Sequence, residues 1–81
     1  MTREDVKEII RKERLTGYNF FENRDNVENE IVVVIESKQW IVYATDERAS
    51  KITGSERTFD NEESALDNFV KRLRALNALN Q

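Results

Sequence analysis

The sequence predicts an α+β domain: an N-terminal helix, a three- to four-stranded antiparallel β-meander and a C-terminal helix, with both helices on one sheet face. Three observations carry that expectation. Apolar residues recur at helical spacing near both ends, and β-branched and aromatic runs joined by short polar connections fill the middle. No proline, repeat or low-complexity tract marks a boundary, so residues 1–81 read as a single domain.

Thr2, followed three residues later by Asp5, has the form of a helix N-cap. Val6, Ile9 and Ile10 then share one helical face while Glu4, Lys7, Glu8, Arg11 and Lys12 face water, which predicts a helix over residues 3–14 that stops near Gly17. Tyr18, Phe20 and Phe21 open an aromatic strand that ends in the polar turn Asn23 to Asn26. Glu30 to Glu36 is a β-branched strand bounded by Ser37, Lys38 and Gln39, and Trp40 to Ala44 follows closely enough to form an antiparallel hairpin with it. Ile52 to Phe59 is a weaker fourth strand with Gly54 at a bulge. Asp60 caps a helix over residues 61–78, whose stripe of Leu66, Phe69, Val70, Leu73 and Leu76 faces the core. Its acids, Glu62, Glu63 and Asp67, precede its bases, Lys71, Arg72 and Arg74, an order that complements the helix macrodipole.

With both helices on one sheet face, the other face is left over. The alternation in Ile31 to Ile35 sends apolar side chains to both, so part of the second face must be covered by a loop, another subunit or a partner.

A domain of this size buries about 60% of the surface its unfolded chain exposes, which leaves room for a core but little for a deep pocket. Hydrophobic residues make up 38% of the chain and charged residues 36%, with signs interspersed, so the chain is folded and highly charged at its surface. Thirteen Lys and Arg against sixteen Asp and Glu give a net charge of −3, the wrong sign for phosphate backbones; a basic protein partner is favoured over nucleic acid. Cysteine is absent, which excludes disulfides, thiolate metal ligands and thiol nucleophiles. The charged start and a longest apolar run of five residues give no signal peptide or membrane span, so the expected setting is the cytoplasm.

No histidine is present, so the usual general base and the commonest metal ligand are both missing. Asp46 and Glu47, with Ser50 and Ser55 nearby, could assist acid–base chemistry or hold a divalent cation, but Thr45-Asp46-Glu47-Arg48 reads more simply as a strand end and charged turn. Gly54 lacks the companions of a phosphate-binding loop. We therefore expect no enzyme activity, no metal and no cofactor. The helix, strands, helix order also matches double-stranded-RNA-binding domains, yet Asp60, Glu62 and Glu63 stand where such domains need cations.

Binding is what remains. Trp40 and Tyr43 have opposite strand parity and so point to opposite sheet faces, either as interface anchors or as filling for a small core. Asp46, Glu47 and Arg48 form a polar recognition turn, and Glu28 and Glu30 are candidates for electrostatic steering within a segment, 22–36, in which Arg24 is the lone cation.

The run Trp40 to Ala49, then Gly54, Phe59 and an acidic helix start with Glu63, Ala65 and Leu66, preceded by Gly17-Tyr18-Asn19-Phe20, resembles a family of small immunity proteins of bacterial polymorphic toxin systems, the one numbered fifty-nine. The resemblance covers most of the chain. It implies a cytoplasmic protein that binds a cognate toxin, often a nuclease or another cell-killing enzyme, and blocks it, as monomer or homodimer; it supplies no active-site residues. The alternative is a small regulatory or scaffold module that self-associates through its uncovered sheet face and has no toxin partner.

Overall fold

Thr2 and Asp5 close a capping box in the computed structural model, which describes residues 1–80. The Asp5 N–H donates to Thr2 Oγ1 at 3.1 Å and the Thr2 N–H donates to Asp5 Oδ2 at 2.9 Å. Helix α1 (Arg3–Glu13) follows, and it stops before Gly17 is reached. Arg14 takes the left-handed position at φ 54°, and the Leu15 N–H donates back to the Ile10 carbonyl at 3.0 Å, so a non-glycine residue ends the helix. Gly17 serves the next step. It has φ +80°, and a Cβ there would lie 3.2 Å from Leu76 Cδ2 and 3.3 Å from the Asn29 carbonyl oxygen, so the chain threads a gap that a side chain would close.

Strands β1 (Tyr18–Phe20), β2 (Ile31–Glu36), β3 (Gln39–Ala44) and β4 (Arg57–Phe59) form one sheet in the order β1-β2-β3-β4. The meander is antiparallel except at its first step, where β1 pairs with β2 in parallel, Tyr18 opposite Ile31 and Phe20 opposite Val33. The connection of residues 21–30 is long enough to carry the chain back past the end of the sheet, so β2 starts beside the start of β1. The expected fourth strand is also shorter than residues 52–59. Ser55 donates from its N–H (3.0 Å) and its Oγ (2.7 Å) to the Ile52 carbonyl, and Gly54 has φ +84°, so residues 52–55 are a tight turn and not a bulged strand.

The β2–β3 hairpin turns on Ser37 and Lys38 alone, since Glu36 pairs with Gln39. Both turn residues have positive φ, 49° and 65°, the type I′ geometry that Asn-Gly satisfies best. Replacing Ser37-Lys38 with Asn-Gly is expected to raise stability by about 1 kcal/mol, measured by urea unfolding, because the strain of two side chains in left-handed conformation is relieved.

Helix α2 (Glu62–Leu79) is capped by Asn61, whose Oδ1 accepts from the Ser64 N–H at 2.8 Å. Asp60, the expected cap, stands one residue too early and accepts instead from Gln39 Nε2 at 3.4 Å. Leu66, Phe69, Val70 and Leu73 are fully buried along one face, as their spacing predicts. The bases of α2 do not act on its macrodipole, for the last turn holds none. Arg74 pairs with Glu13 of α1 at 2.6 Å, and Arg72 Nη1 donates to the Ser55 carbonyl at 2.7 Å.

Cross-strand register places Tyr18, Phe20, Ile31, Val33, Trp40, Val42, Ala44 and Phe59 on one face. These residues join Val6 of α1 and Leu66, Phe69 and Leu73 of α2 in a single apolar cluster, so both helices pack on the same face. One carboxylate staples the layers together. Glu62 Oε1 accepts from Trp40 Nε1 at 3.2 Å and pairs with the Arg3 guanidinium at 2.8 Å, linking β3, α1 and α2. The hydrogen bond from Arg3, helped by that from Trp40, holds the Glu62 carboxyl below its ordinary value of 4.5. A depressed carboxylate contributes its full stability above the ordinary value and loses it as pH falls through the depressed one. Glu62→Gln is therefore expected to flatten the acid side of the stability–pH curve, read by urea unfolding between neutral pH and the carboxylate range.

Candidate functional site

The sheet face away from the helices carries Glu30, Val32, Val34 and Glu36 from β2 and its N-terminal flank, and Thr45, Tyr43, Ile41 and Gln39 from β3 and its C-terminal flank. Val32 and Tyr43 are nonetheless buried, because the connection of residues 21–30 folds over one end of this face. The cover expected from the alternation is thus supplied by the chain's own loop.

Glu30 and Arg24 hold that loop down. Glu30 is 3% exposed, and its carboxylate accepts from Arg24 Nη1 at 3.2 Å, Arg24 Nη2 at 2.9 Å and the Val27 N–H at 3.0 Å. Arg24 also donates to the carbonyls of Tyr18 (3.1 Å) and Asp25 (3.0 Å). The bidentate hydrogen bond to Glu30 raises the Arg24 guanidinium above its ordinary value. Tyr43 Oη donates to Asn26 Oδ1 at 2.7 Å, and the Lys51 ammonium sits 4.6 Å from the Tyr43 ring centroid. Tyr43 is therefore engaged as the floor beneath the loop.

Thr45 ties this loop to the next. Its Oγ1 donates to the Val27 carbonyl at 2.7 Å and accepts from the Glu30 N–H at 2.9 Å, while the Asn29 N–H donates to the Asp46 carbonyl at 3.0 Å. Asp46 then builds the second loop from within. Its Oδ1 accepts from the N–H groups of Arg48 (2.8 Å) and Ser50 (3.0 Å), and Ala49 closes the turn at φ 63°. The loop so formed presents Glu47 and Arg48, both exposed, and the covering loop to which it is hydrogen-bonded presents exposed Asp25 and Glu28.

Among the described residues none of Asp25, Glu28, Glu47 and Arg48 has a counter-ion within 4.0 Å. Two hydrogen-bonded loops thus carry an acidic rim at one end of the sheet, with three carboxylates and one guanidinium outside any ion pair. The rim's net negative charge is complementary to a cationic surface. Among the described residues no group of three or more Asp or Glu could hold a metal ion.

The residues singled out from sequence separate by place. Glu28, Glu47 and Arg48 stand on the rim, Asp46 and Glu30 support it, and Tyr43 lies under it. Trp40 is on the opposite face, half-buried against the helices. Sequence reasoning missed Arg24, Asn19 and Thr45. Asn19 is 1% exposed, its Oδ1 accepting from the Glu22 N–H at 2.8 Å and its Nδ2 donating to the Glu22 carbonyl at 3.2 Å, so it shapes the turn that ends β1. A polar residue inside the aromatic run Tyr18 to Phe21 was its available signal.

A family model described as immunity protein 59 matches residues 1–81. No curated protein and no solved structure matches the chain.

Proposed function

The chain belongs to the immunity protein 59 family, and we propose that it protects the cell that makes it by binding a cognate protein toxin in the cytoplasm and occluding the toxin's working surface. One observation carries this reading: the acidic rim of Asp25, Glu28 and Glu47 is free of counter-ions yet held on hydrogen-bonded backbone, ready to meet a cationic cleft with little ordering on contact. Toxins that act on nucleic acid, nucleases included, carry such clefts because their substrate is a polyanion. Inhibition by occlusion needs no catalytic group on this chain. Glu28, Glu47 and Arg48 make the contact, Asp46 and Glu30 hold the loops in place, and Tyr43 backs them; Trp40 acts through the fold.

The chain, immobilised and exposed to nuclease-treated lysate and secreted protein of its source bacterium, is expected to recover a toxin domain. Recovery of its own subunits alone would favour a self-associating module instead. With the recovered toxin, Glu28→Lys combined with Glu47→Lys is expected to slow association about tenfold at low salt, with a smaller effect at high salt. Stability should stay within about 0.5 kcal/mol, since both side chains are exposed and unpaired. An unchanged association rate would remove the rim from the interface.

A further inference from the structure

Strand β1 stops early, and the way it stops leaves part of β2 open. The Phe21 N–H donates to the Val33 carbonyl at 2.9 Å, which places the backbone groups of Ile31, Val33 and Ile35 on the edge of β2 that faces β1. Phe21 then takes φ 59°, an uncommon conformation for an aromatic residue, and Asn19 locks the turn through Glu22. The chain leaves the sheet one step before Ile35. Among the described residues no hydrogen bond reaches the Ile35 N–H or carbonyl from this side, and its side chain is 46% exposed. An unpaired strand edge of this kind is a template for another strand.

A groove of about 520 Å³ runs across this edge. Phe21, Val34, Ile35 and Tyr43 give it apolar walls on both sides of the strand. Two arginines and two glutamates line it as well, but they are not equivalent. Arg3 is neutralised by Glu62 at 2.8 Å and lies over the Phe21 ring, and Arg24 is neutralised by Glu30 at 2.9 Å. Glu36 has no ion-pair partner among the described residues, and Glu22 has only the Nε of that same Arg24, at 3.8 Å. The groove therefore presents apolar walls, an open backbone edge and excess negative charge.

We propose that this groove takes an extended basic segment of the toxin, which adds to the sheet beside Ile35, seats an apolar side chain against Phe21 or the exposed Ile35 side chain and sets cationic side chains on Glu22 and Glu36. The proposal rests on the immunity reading for the identity of its occupant, and on the groove alone for its chemistry. The backbone edge specifies a strand and the free carboxylates specify its charge. It adds a second contact to the acidic rim, at the opposite end of β2.

Two measurements test it. In the first, a blocked peptide of alternating lysine and valine is titrated into the isotope-labelled protein, with a glutamate–valine peptide as control. The basic peptide is expected to shift and protect the Ile35 amide and to bind at least about tenfold more tightly than the acidic one. Ile35→Pro, which removes the outward N–H without touching the β2–β3 ladder, and Glu36→Lys, which reverses an exposed charge, should each abolish that preference. No response of the Ile35 amide at millimolar peptide, or equal binding of both peptides, overturns the proposal. In the second, the toxin recovered by capture is bound to the same two variants, and about a tenfold loss of affinity is expected from each. Capture of a toxin that both variants bind as well as the parent chain overturns the groove and leaves the immunity reading standing. Failure of the parent chain to bind any toxin removes that reading, and the peptide titration then decides the groove by itself. A dimer dissolved by Ile35→Pro would make the occupant a second copy and overturn the assignment.

Discussion

Arg24→Ala is expected to lower stability by about 2 to 3 kcal/mol, a large fraction of the total for a domain of this size. The substitution strands the Glu30 carboxylate, which is 3% exposed and keeps only the Val27 N–H as a donor. Breaking a buried pair from one side costs about 3 to 5 kcal/mol, and the lower figure applies here because Arg24 itself is 31% exposed and water can reach part of the site. Arg24 also satisfies the carbonyls of Tyr18 and Asp25, so the loss reaches both ends of the covering loop. Urea unfolding should show a lower midpoint, and thermal unfolding a melting temperature lower by about 10 °C or more. Adding Glu30→Met to Arg24→Ala should restore part of the loss, since no buried charge then remains unpaired. A single variant as stable as the parent would show that the pair does not hold the loop. Under the proposed function toxin binding should weaken as well, because Glu28 sits on that loop.

Phe69→Ala is expected to be more severe, about 3 to 5 kcal/mol, enough to leave the chain partly unfolded at ordinary temperature. Phe69 is fully buried at the centre of α2, with its ring centroid 5.7 Å from that of Phe20. Removing it opens a cavity between the helix and β1, where little backbone can collapse to fill the space. Phe69→Leu keeps most of the volume and should lose far less. Circular dichroism melts of the two variants would separate lost packing from a lost helix; equal losses in both would point away from a cavity and toward a requirement for the aromatic ring.

The helices were legible because their signals are local. The Thr2–Asp5 box, the apolar face of α1 and the Leu66 to Leu73 stripe each depend on residues within a turn or two, and all appear in the fold at the expected places. The β2–β3 hairpin was legible for the same reason, since a two-residue connection leaves antiparallel pairing as the short route. Helix ends were less so. Arg14 in the left-handed position and Asn61 in place of Asp60 as a cap are choices among neighbouring polar residues that differ by little energy in isolation.

The family resemblance was also legible, and the family match over the whole chain bears it out. The surface was not. Acidic character between residues 22 and 36 is visible in the sequence, but which carboxylates are free depends on partners distant in the chain or hidden by folding. Glu30 is buried against Arg24, and Glu62 is shared by Arg3 and Trp40, while Glu28, Glu36 and Glu47 have no ion pair among the described residues.

By itself the sequence determined the α+β class, the two amphipathic helices, the central hairpin and the absence of histidine and cysteine chemistry, because these follow from residue identity and spacing along a few turns of chain. Tertiary structure alone decided that β1 runs parallel to β2, that residues 21–30 cover one end of the second sheet face, and that the Ile35 edge stays open. The physical reason is that each of these turns on contacts across long stretches of sequence. Residues close in the chain, such as Glu28 and Glu30, look alike until the fold buries one and leaves the other in water.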